Sequence, residues 1–241
     1  RLDTVETWDK RISFRSDLNE RLYLYRDPQR GHRYAIGVDV AEGILESQSG
    51  DPDASVICVL DVDGGGEQAA VYCGQVSEEN LVEPLELIGR FYNEAFLVIE
   101  TNSTGKHVGI EMAKRYPQEK IYRRLDWEQG YARRSRTIGW RTHVGSRNIL
   151  IGKLADAIND RAIALHDART IEECKQFVGK AGGGYAAADG AHDDQVFALG
   201  LAVVGIDAYP RLDEMAKLMA SSQYQRKLNE RMKTAESQTG Y

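Results

Sequence analysis

The sequence predicts an α/β protein: a mixed five-stranded sheet, three antiparallel strands followed by parallel βα units, with helices on its faces. Three observations carry that expectation. Three apolar segments toward the front of the chain are joined by short connections, as in a meander. Helical and extended patterns then alternate. Near the end, the run from Val196 to Val204 holds no charged residue and is built to be buried.

Residues 1–33 are polar, rich in Arg and Asp, and read as a linker or wrapping segment. The first strand is RYAIGVDVA, with Ile36, Val38 and Val40 on one face and Ala35, Gly37 and Asp39 on the other. SVICVLDV (55–62) and QAAVYCGQV (68–76) are the next two, and the glycines of DGGGE between them mark a hairpin turn. A helix is expected from Glu78 to Asn93, then a buried strand, AFLVIE (95–100). STGKHVGIEMAKRY (103–116) reads as a helix with Pro117 just beyond its end, and KIYRR as the fifth strand. SRNILIGKLADAINDR (146–161) carries apolar residues at helical spacing. AIALHD reads as a short strand and RTIEECKQFV as a short helix. GKAGGGYAAADGAH (179–192) is a Gly/Ala-rich hairpin or loop before the apolar helix. The domain is expected over 34–208, followed by a polar, helix-prone tail over 209–241.

With 241 residues, 42% hydrophobic and 28% charged, the composition is that of a globular protein rather than a disordered chain. No apolar run approaches the roughly 20 residues that span a bilayer. The opening RLDTVETWDK is polar and acidic, unlike a secretory signal. It begins with Arg rather than Met, so the expectation is a piece of something longer. Cys58, Cys73 and Cys174 are odd in number and far apart, which argues against a zinc knuckle or disulfide framework and for a reducing, intracellular setting. The net charge of −6 argues against a polyanion partner, but its distribution argues the other way. From Lys114 to Arg147 ten Lys or Arg stand against three acids, a net of +7. Such a stretch is either an electrostatic footprint for a polyanion or a solvated charged face.

The chemistry lies in the carboxylates. Asp39 sits inside the first strand on the face opposite the valines, Glu100 ends an apolar strand, and Asp193 and Asp194 open the buried helix. A buried carboxylate is costly unless paired or bound to a metal. Each has an ordinary structural reading: an ion pair for Asp39, a solvent-facing strand end for Glu100, an N-cap for Asp193. Together they point elsewhere. AFLVIE is the natural parallel neighbour of the first strand, which sets Asp39 beside Glu100. A terminal helix packed across that sheet brings its N-terminus to them. Convergent hard oxygen ligands suit Mg²⁺ or Mn²⁺, and a pair of such ions can clamp a phosphodiester.

Four ordered motifs, YAIGVDVAEG, GDPDASVICVLD, VIETNSTG and GAHDDQVFALGLA, resemble the nuclease domain of phage large terminase subunits, the DNA-packaging motors. The resemblance spans about residues 33–205 and implies an RNase H-like fold. It implies a metal-dependent endonuclease cutting double-stranded DNA with little sequence preference, using two Mg²⁺ or Mn²⁺ ions. Asp39, Glu100 and Asp194 match the family's acids, Asp193 is a close neighbour, and Asp53 matches an additional acid. Many relatives carry another acid one turn after the helix aspartate, where this chain has Phe197. The family's full-length proteins carry an ATPase domain and work with a small terminase subunit and a portal in the infected bacterial cytoplasm, transiently at the procapsid. No G-x-x-x-x-G-K-[ST] occurs here, so ATP hydrolysis is not expected of this chain.

Secondary candidates follow. Asn102 is placed to orient Glu100 or a phosphate, and His192 to assist a bound water or leaving group. Lys106, Arg133, Arg134, Arg136, Arg141 and Arg147 are the candidate backbone contacts, interleaved with Trp127, Tyr131 and Trp140. Three rival readings stand beside the nuclease. A Holliday-junction resolvase or transposase core shares the acid pattern. An actin-like ATPase would repeat its GVD strand, and no repeat occurs. A non-catalytic DNA-binding module would use the acids structurally.

Overall fold

The computed structural model describes residues 4–6, 12–14, 21–41, 54–102, 104–127, 134–179, 185–187 and 192–220. The chain divides into two compact units, Arg1–Ile206 and Asp207–Tyr241. Among the described residues no helix is long and apolar enough to cross a membrane.

The first unit opens with β1 (Thr4–Glu6) and β2 (Ile12–Phe14), a small antiparallel pair. Its main sheet is built from β3 (Leu22–Leu24), β4 (Tyr34–Asp39), β5 (Ser55–Asp61), β6 (Glu67–Gly74) and β7 (Phe96–Ile99) in the order β3-β6-β5-β4-β7. β4, β5 and β6 form the expected antiparallel meander. Helix α1 (Glu78–Phe91) then carries the chain over, and β7 returns parallel to β4 with Val38 opposite Ile99. The sheet is mixed and five-stranded as predicted, but its fifth strand is not KIYRR. Leu22–Leu24, within the segment read as a linker, pairs with β6 and closes that edge. Ile121 makes only a single bridge to Leu97 before the chain leaves as a separate hairpin, β8 (Arg123–Trp127) with β9 (Arg134–Ile138). The antiparallel ladder of β8 with β9 uses the hydrogen bonds that would have extended the sheet.

Helix α2 (Gly105–Arg115) follows β7, and α1 and α2 cover one face. There Tyr34, Ile36, Val38 and Val40 pack with Leu81, Leu85, Ile88, Val108 and Met112. The opposite face of β4 carries Ala35, Gly37 and Asp39, as the alternation predicts. Helices α3 (Val144–Asn159) and α4 (Ala168–Gln176), then the hairpin β10 (Phe177–Gly179) with β11 (Tyr185–Ala187), lead to α5 (Asp194–Ala220). AIALHD forms no strand of its own and touches the sheet through one bridge, Ala164 to Glu67.

Helix α5 lies directly on β4. A Cβ added to Gly37 would stand 1.9 Å from the carbonyl oxygen of Ala198 and 2.3 Å from the amide nitrogen of Ala202. The absent side chain therefore lets helix backbone rest on strand backbone. Further along, Gly205 sits against Ala35 and Val98. The helix thus runs antiparallel to β4, which brings its N-terminus to the end of the strand where Asp39 lies.

Candidate functional site

Three elements deliver the acids to one place. Asp39 is the last residue of β4, opposite Val56 of β5. Glu100 follows β7 directly, and its N–H donates to the Val38 carbonyl at 2.9 Å, continuing the parallel ladder by one rung. Neighbouring strands run roughly 4.8 Å apart, so the two side chains meet. Their carboxyl groups come close enough to act directly on one another.

Burial pushes the Asp39 carboxyl well above the usual carboxylate range; the hydrogen bond to Glu100 and the charges of Glu100, Asp194 and Asp193 push the same way. Three of the acids thus act on the fourth, Asp39. Among the described residues no three side chains close into a ready cage for an ion. The donor set nonetheless fits a hard divalent cation: oxygens only, with more negative charge gathered around Asp39 than the nearby cation, Arg147 on Asp193, balances.

The surroundings fix each acid. Asn102 donates from its amide to the Glu100 carboxylate at 3.1 Å and to the Thr142 carbonyl at 3.0 Å, and it accepts from the Thr142 N–H at 3.2 Å. That places Asn102 as the clamp on Glu100 that the sequence suggested. Gly105 is required nearby, since a Cβ there would lie 2.0 Å from the Glu100 carbonyl oxygen. Thr104 precedes α2 without capping it; its hydroxyl donates to the Ala41 carbonyl at 3.2 Å. Ser103 lies outside the described residues. Asp194 accepts the Ala54 N–H at 3.0 Å, tying α5 to the start of β5. His192 stands 4.0 Å from the Asp194 carboxylate.

Asp193 faces another partner. Its carboxylate meets the Arg147 guanidinium at 2.7 Å, and that guanidinium also lies over the Phe197 ring, 4.2 Å from its centre. The residue read as a DNA contact is thus engaged within the site, and Phe197 is its platform. Lys106, in the first turn of α2, and Arg141, just before α3, are exposed. The side chains of Arg134 and Arg136 in β9, together with Arg133, Tyr131 and Asp53, lie outside what the structure describes. Trp140 is half-buried beside Glu100, bridged to it through the backbone.

One residue escaped the sequence reading. Glu173 of α4 accepts the Gln195 N–H at 2.8 Å. Burial first, with the Asp194 charge adding to it, pushes its carboxyl up to about 7. Both Asp39 and Glu173 are raised, so their stabilising contribution is complete below their ordinary carboxylate range and is lost as pH rises through the folded values. Metal-free protein is therefore expected to lose melting temperature as pH climbs from about 5 to 8. Mn²⁺ should flatten or reverse that slope. Differential scanning calorimetry across the interval checks it; a metal-free melting temperature that climbs steadily would contradict the raised carboxyls of Asp39 and Glu173.

Residues 36–205, from β4 into α5, match the model of a protein family described as the terminase RNaseH-like domain. No curated protein matches the chain. Among solved structures it is similar to the large terminase nuclease of thermophilic phage G20c with bound cobalt: 22% identity over 76% of this chain and 87% of that one, TM-score 0.57. The magnesium-bound form of that nuclease gives 22% identity over the same shares and a TM-score of 0.56. The large terminase nuclease domain of Thermus phage P74-26 gives 21% identity over 76% of this chain and 84% of that one, TM-score 0.51. At these identities the likeness establishes a shared fold.

Proposed function

This chain belongs to the terminase RNaseH-like domain family, and from that premise we propose that it is a metal-dependent endonuclease that cuts double-stranded DNA during viral genome packaging. The observation that carries the reading is the convergence of Glu100, Asp194 and Asp193 on Asp39 at the meeting of β4, β7 and α5. The cobalt, magnesium and zinc found with the similar G20c nuclease support a divalent ion here. We assign Mg²⁺ or Mn²⁺, in a pair, to this site. Asp39, Glu100 and Asp194 would hold them, with Asp193 and Asp53 as auxiliary ligands. Bound there, the ions supply positive charge to a phosphodiester and acidify water for attack.

The chain's own residues do the rest. Asn102 keeps Glu100 from turning away, and the Ala54 N–H does the same for Asp194. Lys106, Arg133, Arg134, Arg136 and Arg141 are assigned to the DNA backbone, where the charge would be felt as a salt-dependent affinity. Arg147 balances Asp193 and is at most a shared contact. The nuclease is assigned to 34–208, with 209–241 as a tail. The ATPase domain, small terminase subunit and portal are the partners this role requires, and infected bacterial cytoplasm is its place.

A resolvase of the same fold is the second reading, because it would use the same acids. The two separate on substrate. With Mn²⁺ present, linear duplex and a four-way junction should be cut at rates within about threefold, and cleavage should be lost with EDTA. Junction cleavage that exceeds linear cleavage by orders of magnitude, with symmetric nicks, would make the chain a resolvase.

A further inference from the structure

Glu173 performs a task that neither helix aspartate performs. With Asp193 at the N-cap of α5 and Asp194 as its first residue, the amides an N-cap side chain would serve are those of Gln195 and Val196. Asp193 instead turns its carboxylate to Arg147, and Asp194 turns to Ala54. The Gln195 N–H is taken, at 2.8 Å, by Glu173, which reaches across from α4, and the Val196 N–H also bonds to Glu173. The cap is supplied from another helix, while Asp193 engages Arg147 and Asp194 engages Ala54.

The same helix grips Gln195 a second time. The Thr170 hydroxyl donates to the Gln195 side-chain carbonyl at 2.9 Å and accepts from the Gln68 amide of β6 at 3.2 Å. The Gln68 carbonyl in turn accepts the N–H groups of His166 and Asp167, each at 2.8 Å. Gln68, Thr170 and Gln195 are all buried. The backbone and the side chain of the residue next to Asp194 are thus both fixed by α4, which is itself anchored to the sheet. A half-buried carboxylate set beside Asp194 is electrostatically unfavourable, and the helix-end donors it satisfies offset that cost.

We propose that Glu173 is a positioning residue of the metal site: by capping α5 from α4 it sets the direction in which Asp194 presents its carboxylate. The inference rests on the nuclease reading above. Glu173 touches no substrate and holds no ion; it acts through Gln195 and Val196.

The experiment is a calorimetric titration of the whole chain with Mn²⁺, paired with plasmid cleavage, for wild type, Glu173→Gln, Glu173→Asp and Asp39→Ala. Glutamine keeps a carbonyl acceptor at the same reach, so E173Q should bind Mn²⁺ within about threefold of wild type. Aspartate keeps the charge but withdraws the acceptor by one methylene. E173D should therefore weaken Mn²⁺ binding about tenfold or more, the range lost when an outer-shell partner is removed. Its cleavage rate should recover at saturating metal. The reverse order, E173Q weakened and E173D intact, would make Glu173 a direct ligand and overturn the proposal. Both variants binding like wild type would reduce it to a structural cap. If wild type binds Mn²⁺, Asp39→Ala does not, and E173D matches wild type, only the positioning role falls. If wild type neither binds Mn²⁺ nor cuts DNA, the nuclease reading falls and this role with it.

Discussion

Asp39→Asn is expected to abolish Mn²⁺-dependent cleavage, by about 10³-fold or more, and to leave the metal-free protein at pH 8 at least as stable as wild type. The two halves of that result have one cause. Asp39 lies under the charges of Glu100, Asp194 and Asp193, and burial makes its ionised form costly. The wild-type fold is therefore under a repulsion that a bound cation would relieve. Asparagine is nearly the same size and cannot ionise, so it relieves the repulsion while removing the ligand. A supporting scaffold acid would behave oppositely, losing stability with the substitution and sparing the rate. Losses of several orders follow when a group that stabilises developing charge disappears from a low-dielectric site. Melting curves and initial rates on the same preparations decide the matter: an active Asp39→Asn protein refutes the site.

Asp194→Asn and Asp193→Asn part company in the same assay. The first is expected to match Asp39→Asn, because Asp194 acts on Asp39 and accepts the neutral Ala54 N–H. The second is expected to cost less than about tenfold, because the Asp193 carboxylate is already compensated by Arg147 at 2.7 Å. Its visible effect should be a modest stability loss, since an unpaired Arg147 would stand half-buried above Phe197. Equal losses from both variants would show that Arg147 releases Asp193 to the metal. Full activity in Asp194→Asn would transfer the principal role to Asp193.

The parts of this molecule that were legible in the sequence are those set by short-range pattern. Alternation in YAIGVDVA fixed which face of β4 meets α1 and α2 and which meets α5. An acid at the end of an apolar strand, and another at the head of an apolar helix, marked Glu100 and Asp194 before any contact was known. Asn102 lay two residues from the acid it clamps. What was not legible depends on distance along the chain. Leu22–Leu24 is too short for a period, and its partner in β6 is nearly fifty residues away. KIYRR has a strand's composition, but after Ile121 and Tyr122 touch β7 at Leu97 its two arginines pair locally in a hairpin. Arg147 sat in a basic stretch and was read by its neighbours, whereas its partner lies 46 residues on. Glu173 belongs to a short charged helix, where nothing in RTIEECKQFV separates a capping carboxylate from a solvated one.

The contact between Gly37 and α5 has a geometric corollary. From Gly37 to Asp39 is two strand residues, about 6.6 Å of rise. From Ala198 back to Asp194 is four helix residues, about 6 Å. The two acids are carried to nearly equal heights by two rulers with different graduations, zeroed at one glycine. Such a vernier has no slack: one residue inserted between 194 and 198 would swing Asp194 about 100° around its axis. The length of that first helical turn is accordingly the dimension in this protein least open to insertion or deletion.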